Sequence, residues 1–267
     1  MNRGILLVGC GKMGGALLAG WLRRGIPATD IVIVEPNPVP DLPAGLRQVA
    51  DAAAVPAAFR PAIVMLAVKP QAMDQVAPAY GRYAAGGACF LSIAAGKTIA
   101  GLNGLLGGSA AIVRSMPNTP AAVGLGITVC CASGTVTADQ RTTCQDLLEA
   151  VGEVGWVEDE SLIDAVTAVS GSGPAYVFWL TECLAAAGEK AGLDAGLSAR
   201  LARATVYGAG ELMRQSADSP AQLRKNVTSP NGTTQAALEV LMAGDGLGPL
   251  MERAVTAAAR RSRELAG

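Results

Sequence analysis

The feature that most constrains the fold is a change of rhythm near residue 157. Before it, short apolar runs rich in β-branched residues alternate with longer segments of helical spacing; after it, helical spacing continues alone. The runs occupy residues 5–8, 31–34, 63–68, 89–93 and 111–114, followed by 126–131 and 154–157, and helical stretches include 13–22, 70–80 and 138–151. Strands alternating with helices build a parallel sheet covered on both faces. The expectation is an α/β fold: a doubly wound, mostly parallel domain over residues 1–160, then an all-α domain over 161–267. The acidic run Glu158-Asp159-Glu160 is suited to open the first helix of that second half, because carboxylates favour the positive end of a helix dipole. Residues 175–187 are apolar nearly all round, which for a helix means deep burial, against a second subunit or within the same chain.

Composition narrows the chemistry. Hydrophobic types make up 51% and charged types 16% at a net charge of −1, so a large core forms and disorder is excluded. The 21 basic residues are matched by 22 acidic ones and never cluster, so no nucleic-acid partner is expected. No stretch reaches the roughly 18 apolar residues of a membrane span. At the start, Met1-Asn2-Arg3-Gly4 precedes an apolar run too short for a secretion signal, and Lys12 interrupts it. There is no histidine, which removes imidazole relays, Ser–His–Asp triads and His-ligated zinc. The six cysteines contain no CxxC pair and suggest neither a metal site nor a disulfide framework. Buried, reduced thiols in a cytoplasmic protein are the expectation.

The segment Gly9-Cys10-Gly11-Lys12-Met13-Gly14 follows the first strand and opens a helix, the context in which GxGxxG binds a dinucleotide. Gly9 permits the tight turn, Gly11 lets the backbone approach a pyrophosphate, and Gly14 allows close packing of helix on sheet. A merely tight strand–helix turn would need less. Glu35, 21 residues past Gly14, stands where a carboxylate accepts hydrogen bonds from the adenosine ribose, although a strand-end carboxylate in solvent would look the same. The later strand ends, Ala67-Val68-Lys69-Pro70, Ala94-Ala95-Gly96 and the segment carrying Asn118, should line the rest of the crevice. Lys69 reads first as an exposed charge.

These motifs resemble those of the pyrroline-5-carboxylate reductase family, almost end to end. The matching pieces are VGCGKMGGAL at 8–17, AVKP at 67–70, AAG at 94–96 and MPNTP at 116–120, with SGSGPAY at 170–176 and VTSPNGTT at 227–234. The last two are the most specific. Where the family usually has a second glycine this chain has Asn231, so a positive φ is expected there. The resemblance implies a Rossmann domain followed by a helical dimerisation domain, a homodimer and a larger ring of dimers. It also implies hydride transfer from NAD(P)H to the C=N bond of 1-pyrroline-5-carboxylate. Thr234 is the expected catalytic contact. Ser172, Gly173 and Pro174, together with Ser229, Pro230, Asn231, Gly232 and Thr233, form the expected substrate site.

The residues fit such chemistry. An iminium carbon is already electrophilic, so positioning and charge matching matter more than a strong acid. Residues 229–234 precede a helix whose N–H groups offer a site for the substrate carboxylate, while Thr233 and Thr234 could equally be helix caps. The glycines of residues 170–174 mark either a ligand-facing break or a helix–helix turn. After the second strand no Arg or Lys occurs until Arg47, and Asn37 is the polar side chain nearest Glu35. A carboxylate there repels a 2′-phosphate, so NADH should serve at least as well as NADPH. Three other classes fit less well. A short-chain dehydrogenase would need a Tyr-x-x-x-Lys pair, and Tyr80, Tyr83, Tyr176 and Tyr207 each lack Lys four residues on. A β-hydroxyacid dehydrogenase needs a lysine soon after the glycines of 170–174, but the first is Lys190. A catalytically silent dinucleotide sensor or scaffold would have no use for residues 229–234.

Overall fold

The computed structural model describes residues 4–40 and 42–266, so Met1, Asn2 and Arg3 of the chain start lie outside the described residues. Among those described, eight strands form one sheet in the order β3-β2-β1-β4-β5-β6-β7-β8. They are β1 (Gly4–Val8), β2 (Ile31–Val34), β3 (Arg47–Val49), β4 (Pro61–Leu66), β5 (Cys89–Ser92), β6 (Ala111–Met116), β7 (Gly126–Ala132) and β8 (Gly152–Trp156). All neighbours run parallel except β6 and β7. Successive side chains of β1 point to opposite faces, yet both faces are buried: Ile5 and Leu7 enter one core cluster, Leu6 and Val8 the other. That double burial explains continuous apolar runs in place of alternation.

On the first face lies α1 (Lys12–Arg23), whose Leu17, Leu18 and Trp21 are buried. The second is covered by residues 70–83, and here the sequence expectation fails. One helix over 70–80 was expected; the chain instead forms a 3-10 turn (Pro70–Ala72), a single α-turn, α2 (Met73–Val76), and another 3-10 segment (Ala77–Tyr83). Pro78 has no N–H to continue a ladder. Gly81 runs so close to the next helix that a Cβ would lie 2.8 Å from the Leu106 carbonyl oxygen. Met73, Ala77 and Tyr80 still reach the core from this broken path. The remaining helices of this region are α3 (Ile99–Leu105) and α4 (Ala138–Leu148), with a short α5 (Ile163–Val166).

The strand β3 was not anticipated, because Arg47-Gln48-Val49 is too short and too polar to read as one. The acidic run also does more than open a helix. Asp159 accepts a hydrogen bond from the Ser161 N–H. Glu160, however, turns to the buried Arg114 guanidinium at 2.7 Å and to the Ile99 N–H at 2.8 Å. A buried cation requires such a partner.

Contacts divide the chain into two compact units, Met1–Gly171 with Ala258–Gly267, and Ser172–Ala257. Within the first, the Ser262 hydroxyl donates to the Asp164 carboxylate at 2.6 Å. The second holds α6 (Gly173–Lys190), α7 (Ala195–Gln215), α8 (Pro220–Asn226), α9 (Thr233–Leu241) and the first part of α10 (Leu247–Ala266). Ser198 of α7 donates to the Ala185 carbonyl of α6, where a Cβ on Gly188 would collide with that hydroxyl. Burial of 175–187 within the same chain is not what forms. Phe178 and Trp179 are 63% and 64% exposed, and Val177, Leu180 and Leu184 are exposed beside them. The thiol expectation needs the same correction: Cys89, Cys130, Cys131 and Cys144 are buried and Cys10 half-buried, but Cys183 on α6 is exposed. No described helix is long and apolar enough to cross a membrane.

Candidate active site

From β1 the chain moves outward through β2 and β3, then returns to place β4 on the other side of β1. Such a reversal opens a crevice at the carboxyl ends of the two strands. The three glycines at the end of β1 have separate duties. Gly9 adopts φ +89°, and a Cβ there would sit 2.8 Å from the Ala67 carbonyl oxygen. At Gly14 a Cβ would come within 2.5 Å of the Gly9 oxygen, which fixes how closely α1 leans on the loop. Around Gly11 nothing lies within 4 Å of the Cβ position. Gly11 is also the N-cap of α1, in extended conformation and with no side chain capping the helix. The first-turn N–H groups of Lys12 and Met13 therefore have no side-chain cap.

Glu35 lies inward, against this loop. Its carboxylate accepts the Cys10 N–H at 3.1 Å and, on the other oxygen, the N–H and side-chain amide of Asn37, both at 3.1 Å. Partial burial pushes its pKa upward, but these three donors outweigh that and hold it below the usual carboxylate range. It is an anion at neutral pH. A cavity of about 400 Å³ opens beside it, lined by Gly9, Val34, Glu35 and Val68. Its far wall is formed by residues 50–53, which the sequence did not reveal because they follow the unread strand β3. Asp51 shapes that wall by accepting the Ala53 and Ala54 N–H groups. A larger cavity, about 710 Å³, lies at the opposite ends of the strands among Ile5, Ile63, Arg24 and Asp146, away from the crevice.

The later strand ends differ among themselves. β4 stops at Leu66, two residues before the expected end, so Ala67 and Val68 lie in the crevice as loop. Lys69 is exposed and Pro70 opens the following turn. Ala94 is buried, its N–H donating to Ser92 Oγ at 3.3 Å, while Ala95 is exposed. Gly96, at φ +73°, packs against the Leu265 carbonyl, so its space is taken by protein. Asn118 fixes its own loop: it donates to Ser170 Oγ at 3.3 Å and accepts the Ile127 N–H at 3.0 Å.

In the second unit, the N-cap of α9 is Gly232, extended and again without a side-chain cap. Thr233 and Thr234 are the first two helical residues, so neither is the cap. Asn231 has φ +60°, the one positive value at a non-glycine among the described residues, as expected for a position that is usually glycine. Its N–H donates to the Gln235 side chain at 2.8 Å, and a Cβ on Gly232 would collide with the Ser229 hydroxyl. Residues 170–174 do not form a helix–helix turn. The chain passes through a π-helical turn (Thr167–Gly171) and a helical Ser172 directly into α6, with Pro174 in its first turn. Turns of that kind recur at functional sites. No group of three or more metal-binding side chains occurs among the described residues.

A parallel sheet with a glycine cradle at its switch point, an inward carboxylate after β2 and a separate helical unit define a nicotinamide-dinucleotide oxidoreductase. Comparison with known proteins narrows this. Residues 4–96 match the family described as NADP oxidoreductase coenzyme F420-dependent, and residues 160–265 match pyrroline-5-carboxylate reductase dimerisation. The chain is 40% identical to pyrroline-5-carboxylate reductase from Pseudomonas aeruginosa over 98% of its own length and 96% of that protein's. The Haemophilus influenzae enzyme is 37% identical over 98% and 97%. Among solved structures, the Coxiella burnetii reductase superposes with a TM-score of 0.91 at 33% identity, covering both chains fully. That of Plasmodium falciparum, solved with NADP bound, gives 0.82 at 29%, covering 100% of this chain and 99% of that one. This chain belongs to the pyrroline-5-carboxylate reductase family.

Proposed function

We propose that the chain reduces 1-pyrroline-5-carboxylate to L-proline with NAD(P)H. When bound, the reduced nicotinamide supplies the hydride for the imine carbon. The protein's part is to hold the two reactants in register and to match their charges. Gly11, Lys12 and Met13 present backbone donors to the pyrophosphate, and Glu35 meets the adenosine ribose. Ala67, Val68, Ala94, Ala95 and Asn118 border the crevice beyond.

The observation that carries the substrate reading is the start of α9. Its first-turn N–H groups are met by no side-chain cap, and two threonine hydroxyls stand there free of capping duty. Such a helix start suits a small carboxylate. Thr234 then hydrogen-bonds the substrate beside its nitrogen or carboxylate, with Ser172, Gly173 and Pro174 at the start of α6 completing the substrate site. In the test, purified protein oxidises NADH or NADPH only when pyrroline-5-carboxylate is added. Oxidation with a 2-keto or β-keto acid and none with the imine overturns the assignment.

The apolar face of α6 supports a homodimer made through residues 161–267. Light scattering is expected to give at least a dimer at all working concentrations, and its mass tells whether dimers join in a ring. A stable, active monomer contradicts the proposal. For the cofactor, the inward Glu35 anion favours NADH at least as strongly as NADPH, and Glu35→Ser shifts the kcat/KM ratio toward NADPH. A wild-type preference for NADPH of about tenfold or more means that Glu35 does not read the ribose. Unpaired thiols suit the cytoplasm.

A further inference from the structure

We propose that Gln48 is a positioning residue for cofactor choice: it braces the 35–39 loop so that Glu35 stays at the ribose and no donor remains for a 2′-phosphate. This rests on the reading of Glu35 given above.

The loop after β2 reads Glu35-Pro36-Asn37-Pro38-Val39-Pro40, with proline at every second position. Proline has no N–H. Only Glu35, Asn37 and Val39 can donate from the backbone, and each is already engaged. The Glu35 N–H donates to the Val49 carbonyl at 3.0 Å, extending the β2–β3 ladder by one bond. The Asn37 N–H donates to Glu35's own carboxylate. The Val39 N–H donates to Gln48 Oε1 at 3.1 Å. From the same side chain, Nε2 donates to the carbonyl oxygens of Glu35 at 2.8 Å and Asn37 at 2.7 Å. One half-buried amide thus makes three bonds to three successive non-proline residues.

A 2′-phosphate needs donors at the end of β2, from a basic side chain or from loop N–H groups. This loop offers neither, since its one side-chain amide, on Asn37, also donates to Glu35. Gln48 is the contact that makes the arrangement rigid. Without it, the Val39 N–H and two carbonyls lose their partners, the loop can turn, and Asn37 can release Glu35. The side chain touches neither the ribose nor the reacting atoms; it acts through Glu35 and Asn37.

The test measures kcat and KM for NADH and NADPH separately in wild type, Gln48→Leu and Glu35→Ser, with pyrroline-5-carboxylate saturating. Gln48→Leu keeps the bulk and removes all three bonds. Expected is a fall of about three- to tenfold in the NADH-to-NADPH ratio of kcat/KM, carried by KM for NADH with kcat retained. An equal loss with both cofactors, or a loss confined to kcat, overturns the proposal, because a purely structural role predicts that pattern. Gln48→Asn keeps the amide but shortens its reach, and must move the ratio in the same direction if Leu impairs folding; an unchanged ratio there is also a refutation. Should Glu35→Ser leave the ratio unchanged, the reading of Glu35 itself fails. If Glu35→Ser shifts it and neither Gln48 variant does, only the role of Gln48 falls.

Discussion

Two α-helices have an extended glycine as their described N-cap, one in each compact unit, and the two starts are built in opposite ways. Elsewhere, helices that start from an extended N-cap are closed by a side chain: Thr98 for α3, Thr137 for α4, Asp194 for α7 and Ser219 for α8. At α1 and α9 the caps are Gly11 and Gly232, and no side chain closes either. The start of α1 is held by distant chain, with Gly9 pressed on Ala67 and Gly14 on Gly9, while Gly11 stays open. The start of α9 is held by its own neighbours, through Ser229, the left-handed Asn231 and Gln235. Neither start has a side-chain cap on its first-turn N–H groups. The first is a product of tertiary packing, the second of a few consecutive residues.

The strongest challenge to this contrast is a pair of glycine replacements. Gly14→Val drives a side chain into the Gly9 carbonyl and should destabilise the first unit by about 1–3 kcal/mol or more while abolishing cofactor binding. Gly11→Ala meets no protein atom, so it should leave the melting temperature unchanged and weaken only the cofactor. Calorimetry with NADH titration reads both, and equal melting losses in the two variants would refute the division of duties.

Next in size is Thr234→Val, which keeps shape and removes one hydroxyl. Loss of a charge-assisted hydrogen bond in a desolvated site predicts about 1.5–3 kcal/mol, or roughly ten- to a hundredfold in kcat/KM. Since Thr234 is not the cap, its melting temperature should not move. Stability loss with intact kinetics would return Thr234 to a capping role.

The smallest effect is expected at Asn231. Alanine tolerates positive φ less well than asparagine and should cost about 1 kcal/mol, while Gly should be neutral or better. Chemical denaturation distinguishes them. Identical stability of the Ala and Gly variants would mean that the left-handed turn is not needed to set the start of α9.

Much of this was legible because the signals are local. The β-branched runs appear as strands within a residue or two, and Asn231 has the positive φ its position implied. The helical unit contains no strand among its described residues. What escaped was non-local. Arg47-Gln48-Val49 becomes a strand only because β2 offers it an edge, with Ile33 opposite Gln48 and Val34 opposite Val49. The cavity wall at residues 50–53 was missed along with it. The 70–80 segment has helical spacing but breaks where Pro78 and the approach of Leu106 intervene. Nor does the sequence show that a side chain at Gly96 would crowd the end of α10, 169 residues further along the chain at Leu265.

By itself the sequence determined the alternation that makes the sheet, the left-handed Asn231 turn before α9 and the absence of imidazole chemistry, since the first two depend on residues within a few positions of one another and the third on composition alone. Tertiary structure alone decided that Glu35 turns inward to Cys10, that Gln48 braces its loop and that α6 keeps its apolar face exposed. Side-chain direction and burial are properties of neighbours brought together by folding. No periodicity along the chain encodes them.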